Sequence, residues 1–197
     1  MKRIIDISLS AIALVVLSPL FLIISILIIC SSRGNFIYTQ TRVGKDNTDF
    51  TLLKFRTMRI DADKNGLLTI GSGDSRITLM GTFLRKYKID EFPQLWNILI
   101  GDMHIVGPRP EVRKYVDLYS EEQKKILTIR PGLTDYASLE YIDESEILEK
   151  SEDPEKTYIE VILPHKIELN LQYLNNQSTK EDLKIIAGTL KKIVSRK

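Results

Sequence analysis

A long apolar run stands near the start of the chain. Residues 7–32 carry no charge and are mostly apolar, and Ser18 and Pro19 interrupt them midway. About 20 apolar residues, at about 1.5 Å rise each, suffice to cross the hydrocarbon core of a membrane as a helix. Because proline removes a backbone donor and clashes with a carbonyl one turn earlier, we expect a kink or reversal there, with Ser18 satisfying a freed carbonyl. Two interpretations follow: a kinked single-pass anchor, or a helix that bends at Ser18-Pro19 and returns to the face it entered.

Basic residues flank this run on both sides, with Lys2 and Arg3 before it and Arg33 after it. Positive residues at both ends are typical of a segment whose two ends face the cytoplasm. A cleaved signal peptide is disfavoured because the run is long and no small-residue cleavage site ends it. We therefore expect residues 1–32 to stay as a membrane element. A single-pass anchor with an external domain is the alternative.

A β-hairpin is predicted after the apolar run. Residues 36–41 and 50–58 are rich in β-branched and aromatic side chains, and residues 44–47 between them have turn chemistry. Residues 61–75 contain several Gly, Asp and Asn residues, which predicts a mobile loop.

Helical spacing of apolar residues predicts a helix over residues 77–84, a second over 95–99 and a helical stretch over 112–127. The acidic residues 140–160 predict a solvated helix or loop. Four apolar residues near the C-terminus share one helical face, which suits either a helix in the membrane interface or a helix packed on the core. These residues are Leu183, Ile186, Leu190 and Ile193.

Composition narrows the class of protein. About 165 residues follow the apolar run, enough for one globular domain but not comfortably for two. The only cysteine, Cys30, cannot form an intrachain disulfide, and nothing indicates an oxidising compartment. Net charge is +2, but basic residues are frequent over residues 33–130, which suits anionic lipid head groups or a phosphorylated substrate. Nucleic acid is not expected, because no DNA- or RNA-binding signature accompanies this charge.

Ionisable side chains are most closely spaced just before the second predicted helix, in residues 85–91. Asp90 and Glu91 are adjacent there, and successive helical residues are about 100° apart, so the two carboxylates are expected to point differently. One can then bind a metal or attack an electrophile while the other orients a partner. Three upstream cations, Arg85, Lys86 and Lys88, are expected to hold a phosphate and keep the acids ionised. Ordinary helix capping by acidic residues is the alternative.

A second candidate element is the loop around Arg109, which Pro108 and Pro110 enclose. Each proline fixes its own backbone and restricts the residue before it, so the loop is expected to be rigid. Such a loop suits a guanidinium held for bidentate contact with a phosphate or carboxylate. A stiff loop with a structural salt bridge is the alternative. His104, just upstream, is expected to be a packed residue rather than a catalyst.

These motifs together resemble a known family, the bacterial sugar transferases, small monotopic phosphoglycosyl transferases that begin glycan assembly on a polyprenyl carrier. The likeness covers roughly residues 1–137 and rests on the order of the motifs. They are the basic and apolar start with Ser18-Pro19, residues 54–58, Asp90-Glu91, residues 101–103, residues 106–110 and residues 130–132.

The resemblance implies an α/β monotopic membrane protein on the cytoplasmic face of the bacterial inner membrane. Residues 1–32 would form a re-entrant helix broken at Ser18-Pro19. Residues 33–197 would form a cytoplasmic catalytic domain with a small β-sheet core and surface-lying amphipathic helices. The implied reaction moves a phospho-sugar from a UDP-sugar to polyprenyl (undecaprenyl) phosphate and releases UMP.

The same resemblance implies the roles of the carboxylates. Asp90 is the nucleophile that forms a covalent aspartyl phospho-sugar intermediate, and Mg²⁺ assists, with Asp90 and Glu91 as its ligands. A carboxylate is a competent nucleophile toward phosphorus, and covalent catalysis lets two bulky substrates react in turn. Mg²⁺ usually takes one or two carboxylates together with substrate oxygens and water.

Arginines and a lysine are the expected phosphate contacts, since fixed cations neutralise a diphosphate under attack. Arg85 and Arg109 are the first choices. Lys54 and Arg56 follow, because their stretch can instead be a strand that supports the site.

After Thr134 the sequence departs from the family pattern. Residues 135–142 contain no arginine, although Tyr136 and Tyr141 can stack on a base or a sugar. A rival function is a catalytically silent membrane-surface module that binds anionic lipid or glycan-assembly partners. The sequence leaves the sugar, the glycan pathway and the formation of a homodimer open.

Overall fold

A computed structural model of the chain describes residues 2–62, 66, 68–71 and 73–195. A long N-terminal helix leads into a body of shorter helices and two two-stranded sheets. The predicted mixture of helices with small sheets is confirmed.

Helix α1 spans Lys2–Ser31 without interruption and contains Pro19. Proline has no N–H for the Val15 carbonyl one turn earlier. The Ser18 hydroxyl donates to that carbonyl at 2.8 Å, so the expected role of Ser18 is confirmed. In the described part of the chain, α1 is the one helix whose length and composition would let it cross a membrane.

The N-terminal end of α1 is bound to the body through charged side chains. Lys2 forms an ion pair with Asp182 at 3.0 Å. The Asp6 carboxylate lies 2.5 Å from Nδ1 of His104, so this half-buried histidine contacts α1. Arg3 donates to the carbonyl of Leu99 at 3.0 Å.

The C-terminal end of α1 contacts the same body. Ile24 and Ile28 pack in a buried cluster with Phe55 and Leu84. Between the two ends, apolar side chains are exposed to the surroundings. They include Ile12, Val15 and Val16. Both ends of α1 thus rest on one body while its middle does not.

The predicted hairpin is confirmed. Strand β1 (Ile37–Val43) pairs antiparallel with β2 (Asp49–Phe55). The connecting 3₁₀ turn spans Lys45–Asn47, with Asp46 and Asn47 at φ of 54° and 59°. Asp and Asn tolerate this left-handed region better than most residues, which explains the turn chemistry.

Both helices predicted around the carboxylates are confirmed, as α2 (Leu79–Lys86) and α3 (Gln94–Ile100). Thr78 caps α2, its hydroxyl accepting from the N–H of Gly81 at 2.9 Å. A parallel pair follows, formed by β3 (His104–Val106) and β4 (Gly132–Thr134).

The continuous helical stretch predicted over residues 112–127 is wrong. The chain forms the short helix α4 (Arg113–Val116) and a separate 3₁₀ turn, Gln123–Thr128. Ser120 and Gln123 exchange hydrogen bonds at the start of that turn, each side chain accepting from the other's backbone N–H. Such a reciprocal cap begins a new helical segment, so it breaks the pattern in two.

The rest of the described chain contains α5 (Tyr136–Glu140), α6 (Glu144–Glu149), α7 (Pro154–Thr157), a π-helical segment (Tyr158–Ile162), α8 (Leu163–Asn175) and α9 (Thr179–Ser195). The acidic residues 140–160 are not only a solvated surface, because Leu148 and Tyr158 among them are buried. Helix α9 packs on the core through Ile185, while Leu183 and Leu190 of the predicted apolar face are exposed.

The loop predicted over residues 61–75 includes residues 63–65, 67 and 72, which lie outside the described residues. In the described part of this loop, Arg76 bonds to several residues. Its guanidinium pairs with Asp74 at 2.6 Å and donates to the carbonyls of Gly66 and Leu68.

Candidate active site

The adjacent carboxylates sit in a short 3₁₀ turn, Ile89–Glu91, between α2 and α3. Lys88 precedes the turn at φ 56°, a left-handed conformation that is uncommon outside glycine and indicates local constraint. The turn places Asp90 and Glu91 inside the protein, with 6% and 7% of their surfaces exposed. Buried carboxylates need compensating charge or hydrogen bonds, so their partners decide their chemistry.

Glu91 is held by two cations. Nη1 and Nη2 of Arg109 donate to the two carboxylate oxygens of Glu91, at 3.1 Å and 2.5 Å. The Lys54 ammonium lies 3.4 Å from Oε1 of Glu91. Burial by itself raises the pKa of Glu91, but Arg109 and Lys54 outweigh burial and hold the pKa well below its usual range. Glu91 raises the pKa of Arg109 in turn. Glu91 is therefore an ionised and fixed carboxylate.

Asp90 has a different environment from its neighbour. Its Oδ1 is buried and has no hydrogen-bond partner among the described residues. Burial, followed by the charge of Glu91, raises the pKa of Asp90 against the opposing charges of Lys54, Lys88 and Arg85. Arg85 and Lys88 favour the ionised form of Asp90, as expected of upstream cations, but burial and the charge of Glu91 set the direction of its pKa shift. This carboxylate is the unengaged member of the pair.

Lys54 reaches the carboxylates from strand β2, where it lies opposite Tyr38. Burial lowers the pKa of Lys54 to about 8, although the charge of Glu91 opposes the shift. The lysine is thus a largely buried cation whose pKa lies about one unit above neutral pH.

The other two predicted phosphate contacts differ in their surroundings. Arg85 donates to the hydroxyls of Thr57 and Thr69, at 2.9 Å and 3.0 Å, and the negative charge of Asp90 acts on it. Arg56 donates to the backbone carbonyls of Ser32 and Arg33 just after α1. Arg85 thus belongs with the carboxylates, whereas Arg56 holds the end of the long helix to the body.

Hydrogen bonds tie the Arg109 loop to the strands on either side of it. Gly107 donates to the Thr134 carbonyl at 3.1 Å, and Gly132 donates to the Pro108 carbonyl at 2.9 Å. The Arg42 guanidinium donates to the Pro110 carbonyl at 3.0 Å. Strand β4 therefore supports the loop from one side and β1 from the other.

These side chains line a cavity of about 1320 Å³. Asp90, Glu91, Lys54, Arg85 and Arg109 are among its many charged lining residues. The cavity reaches Gly34 near the end of α1, and on the far side it reaches Tyr141 and Lys166. Tyr136, the other predicted stacking residue, directs its hydroxyl to Glu181 of α9 instead.

The comparisons with known proteins identify the family. The bacterial sugar transferase family matches residues 1–196. The chain belongs to this family.

Several curated relatives are similar to this family member. An Aeromonas hydrophila protein named UDP-N-acetylgalactosamine-undecaprenyl-phosphate N-acetylgalactosaminephosphotransferase is 36% identical over 197 residues, which cover 98% of this chain and 44% of that protein. A Klebsiella pneumoniae protein named UDP-glucose:undecaprenyl-phosphate glucose-1-phosphate transferase is 34% identical over 193 residues, covering 96% of this chain and 39% of that protein.

A Bacillus subtilis (strain 168) protein named uncharacterized sugar transferase EpsL is 32% identical over 195 residues, covering 98% of this chain and 87% of that protein. The chain therefore spans less than half the length of the Aeromonas and Klebsiella relatives but most of the Bacillus one.

The residues of the site fit a hard metal ion at one carboxylate only. The described residues contain no group of three or more His, Cys, Asp or Glu side chains that could hold one. Mg²⁺ does not require such a group when substrate oxygens and water complete its shell. The unpartnered Oδ1 of Asp90 fits a hard cation, whereas both oxygens of Glu91 already accept from Arg109 or Lys54.

Sequence reasoning missed one residue beside this site. Asp135 accepts a hydrogen bond from the backbone N–H of Arg109 at 3.0 Å and caps α5. An Asp before a short helix is a signal for a cap. No local signal indicates that the same carboxylate reaches a loop 26 residues away.

Proposed function

We propose that the chain transfers a phospho-sugar from a UDP-sugar to polyprenyl phosphate and releases UMP. The observation that carries the proposal is the unequal pair of carboxylates, an unengaged Asp90 beside a Glu91 that Arg109 and Lys54 fix. The names of the Aeromonas and Klebsiella relatives support the substrates, since both include undecaprenyl phosphate and a UDP-sugar.

The reaction takes place in two steps at one phosphorus. An Asp90 oxygen attacks the phosphate that bears the sugar, the bond to the other phosphate breaks, and UMP leaves with the bonding electron pair. A phosphate oxygen of the polyprenyl carrier then attacks the same phosphorus, the bond to Asp90 breaks, and polyprenyl-diphosphate sugar leaves. A covalent intermediate of this kind lets donor and acceptor occupy the site in turn.

The cations of the site support both steps by their positions. Arg109 and Lys54 offset the charge of Glu91, and Arg85 lies where the charge of Asp90 acts on it. Fixed cations stabilise the charge that develops on a phosphoryl group without reorganising at the moment of reaction. Asp90 would hold Mg²⁺ together with substrate oxygens, and the ion supplies charge neutralisation on the diphosphate when bound.

The membrane arrangement is part of the proposal. Both ends of α1 contact the same body, through Lys2 and Arg3 at one end and Ile24 and Ile28 at the other. A straight crossing would separate these ends by a hydrocarbon core of about 30 Å. We propose that α1 enters the membrane and returns to the face it left, with the body on the cytoplasmic side of the bacterial inner membrane, as basic residues at both ends favour.

The test is UMP release by the purified full chain in detergent, given polyprenyl phosphate, Mg²⁺ and a panel of UDP-sugars. We expect one or more UDP-sugars to give release, and Asp90→Asn to reduce it at least about 1000-fold because the amide is not a nucleophile. Asp117→Asn, a similar change at an exposed residue of the body, should leave the rate unchanged.

A covalent adduct of phospho-sugar mass on the peptide that contains Asp90, formed when the acceptor is omitted, would identify the intermediate. Full activity of Asp90→Asn would contradict the mechanism. Failure of every UDP-sugar with folded protein that still binds anionic vesicles would favour the membrane-surface module instead.

A further inference from the structure

The Arg109 loop has a single main-chain donor between its prolines. Pro108 and Pro110 carry no N–H, so the N–H of Arg109 is the one backbone donor in residues 108–110. It donates to Oδ2 of Asp135 at 3.0 Å. The backbone N–H of Arg109 is thus held by a side chain, while other backbone bonds of the loop lie at Gly107, Pro108 and Pro110.

Asp135 is more than a helix cap. Its other oxygen, Oδ1, accepts from the N–H of Ser138 at 2.6 Å and caps α5. A cap needs one acceptor oxygen, which a serine or threonine can also supply. Asp135 is 0% exposed, so burying a full carboxylate there carries a desolvation cost that a neutral cap would avoid. The second oxygen accepts from the N–H of Arg109, and the carboxylate charge acts on the Arg109 guanidinium.

Hydrogen bonds link Asp135 to the carboxylate pair through Arg109. Asp135 holds the Arg109 backbone, and the Arg109 guanidinium holds Glu91 with two hydrogen bonds. Glu91 is the immediate neighbour of Asp90 in the 3₁₀ turn. We propose that Asp135 is a positioning residue that fixes the Arg109 backbone so that its guanidinium keeps Glu91 beside Asp90. The effect of Asp135 on turnover rests on the proposed transfer reaction, whereas its hydrogen bond to the Arg109 backbone is independent of that reaction.

A pair of matched variants separates positioning from capping. In Asp135→Ser, the hydroxyl can still cap α5 but has no second oxygen for Arg109. Asp153→Ser makes the same change at the exposed cap of α7, where the Asp153 side chain accepts from the N–H of Lys156. Both variants keep a capping residue, so both full-length proteins should stay folded in detergent, with Asp135→Ser unfolding at a lower temperature because the N–H of Arg109 loses its acceptor.

The first measurement is hydrogen–deuterium exchange of peptides that span residues 107–111, followed by mass spectrometry. The prolines contribute no amide, so this region reports on few sites, with Arg109 among them. We expect Asp135→Ser to speed exchange of the Arg109 amide about tenfold or more, since a charge-assisted hydrogen bond is lost. Asp153→Ser should leave it unchanged. Equal protection of this amide in Asp135→Ser and the parent would overturn the proposal.

The second measurement is turnover in a double-mutant cycle with Arg109→Lys. We expect Asp135→Ser to lower kcat about tenfold or more in the parent, with a smaller change in KM, because a misplaced group weakens transition-state stabilisation. In the Arg109→Lys background, Asp135→Ser should lower kcat by a much smaller factor, because Asp135 acts through the Arg109 side chain, which is already changed. Equal fold losses in both backgrounds would overturn the positioning role. Absence of turnover in the parent would contradict the proposed transfer reaction, and the amide exchange would still decide the contact.

Discussion

At the scale of single residues, two adjacent carboxylates differ because their partners differ. Glu91 accepts from Arg109 and Lys54 and keeps a depressed pKa, whereas Asp90 has a buried oxygen without a partner and a raised pKa. Environments that push the pKa values of neighbouring acids apart are typical of sites in which the two acids have separate roles. The difference supports the proposed roles, attack by Asp90 and charge anchoring by Glu91.

Lys54 makes the site sensitive to pH. Its pKa of about 8 means that it loses its positive charge as the pH rises through that value, and Glu91 then loses one of its cations. We expect kcat/KM for transfer to fall on the alkaline side with a midpoint near the pKa of Lys54. The measurement is the pH profile of UMP release at limiting UDP-sugar.

Lys54→Arg is the matched variant for this profile. Arginine keeps its charge throughout the accessible pH range, so the alkaline fall should move to higher pH. An alkaline limb at the same midpoint in Lys54→Arg would assign it to another group.

At the scale of elements, α1 continues through a proline because a neighbouring side chain replaces the missing donor. The Ser18 hydroxyl donates to the Val15 carbonyl that Pro19 leaves without its helical partner. In hydrocarbon an unsatisfied carbonyl is costly, and water is not available to satisfy it. The helix therefore continues through Ser18-Pro19 instead of ending there.

Ser18→Ala tests this replacement. We expect it to lower stability by about 1 kcal/mol, because the Val15 carbonyl loses its donor. Ser25→Ala is the control: its hydroxyl donates to the Phe21 carbonyl at 2.7 Å, which the helical N–H of residue 25 also reaches. The measurement is unfolding of both variants in the same detergent. A loss in Ser25→Ala as large as that in Ser18→Ala would show that the proline has no part in the effect.

At the scale of the whole molecule, the contacts of α1 decide how the body meets the membrane. One end is held by ion pairs and hydrogen bonds of Lys2, Arg3 and Asp6, and the other by apolar packing of Ile24 and Ile28. Exposed apolar side chains lie between these ends. This arrangement supports the proposed re-entrant helix, which enters the bilayer beside the body and returns to the same face.

Cysteine labelling tests the arrangement. In a Cys30→Ser background, single cysteines at Ile4, near the start of α1, and at Asp46, in the exposed hairpin turn, mark the two regions. We expect an impermeant maleimide to label both in inverted inner-membrane vesicles and neither in intact spheroplasts. Labelling of the two positions from opposite sides would establish a single-pass anchor and contradict the re-entrant helix.

The sequence by itself determined the features that depend on near neighbours. The apolar run, the hairpin around residues 44–47 and the helices before and after Asp90-Glu91 all appear where periodicity and turn chemistry place them. Such patterns work because side chains one turn or one strand position apart share a face. The division of residues 112–127 was missed, since a local cap at Ser120 and Gln123 overrides the apolar spacing there.

Only the tertiary structure decided the roles within the site. Arg109 and Lys54 come to Glu91 from 18 and 37 residues away, and Asp135 comes to Arg109 from 26 residues away. No periodicity encodes these meetings, because they depend on how β2, the Pro-Arg-Pro loop and α5 pack around one turn. Burial then sets the pKa values, and burial is a property of the folded body rather than of any segment. The sequence identifies Asp90-Glu91 as a pair, and packing makes its two members different.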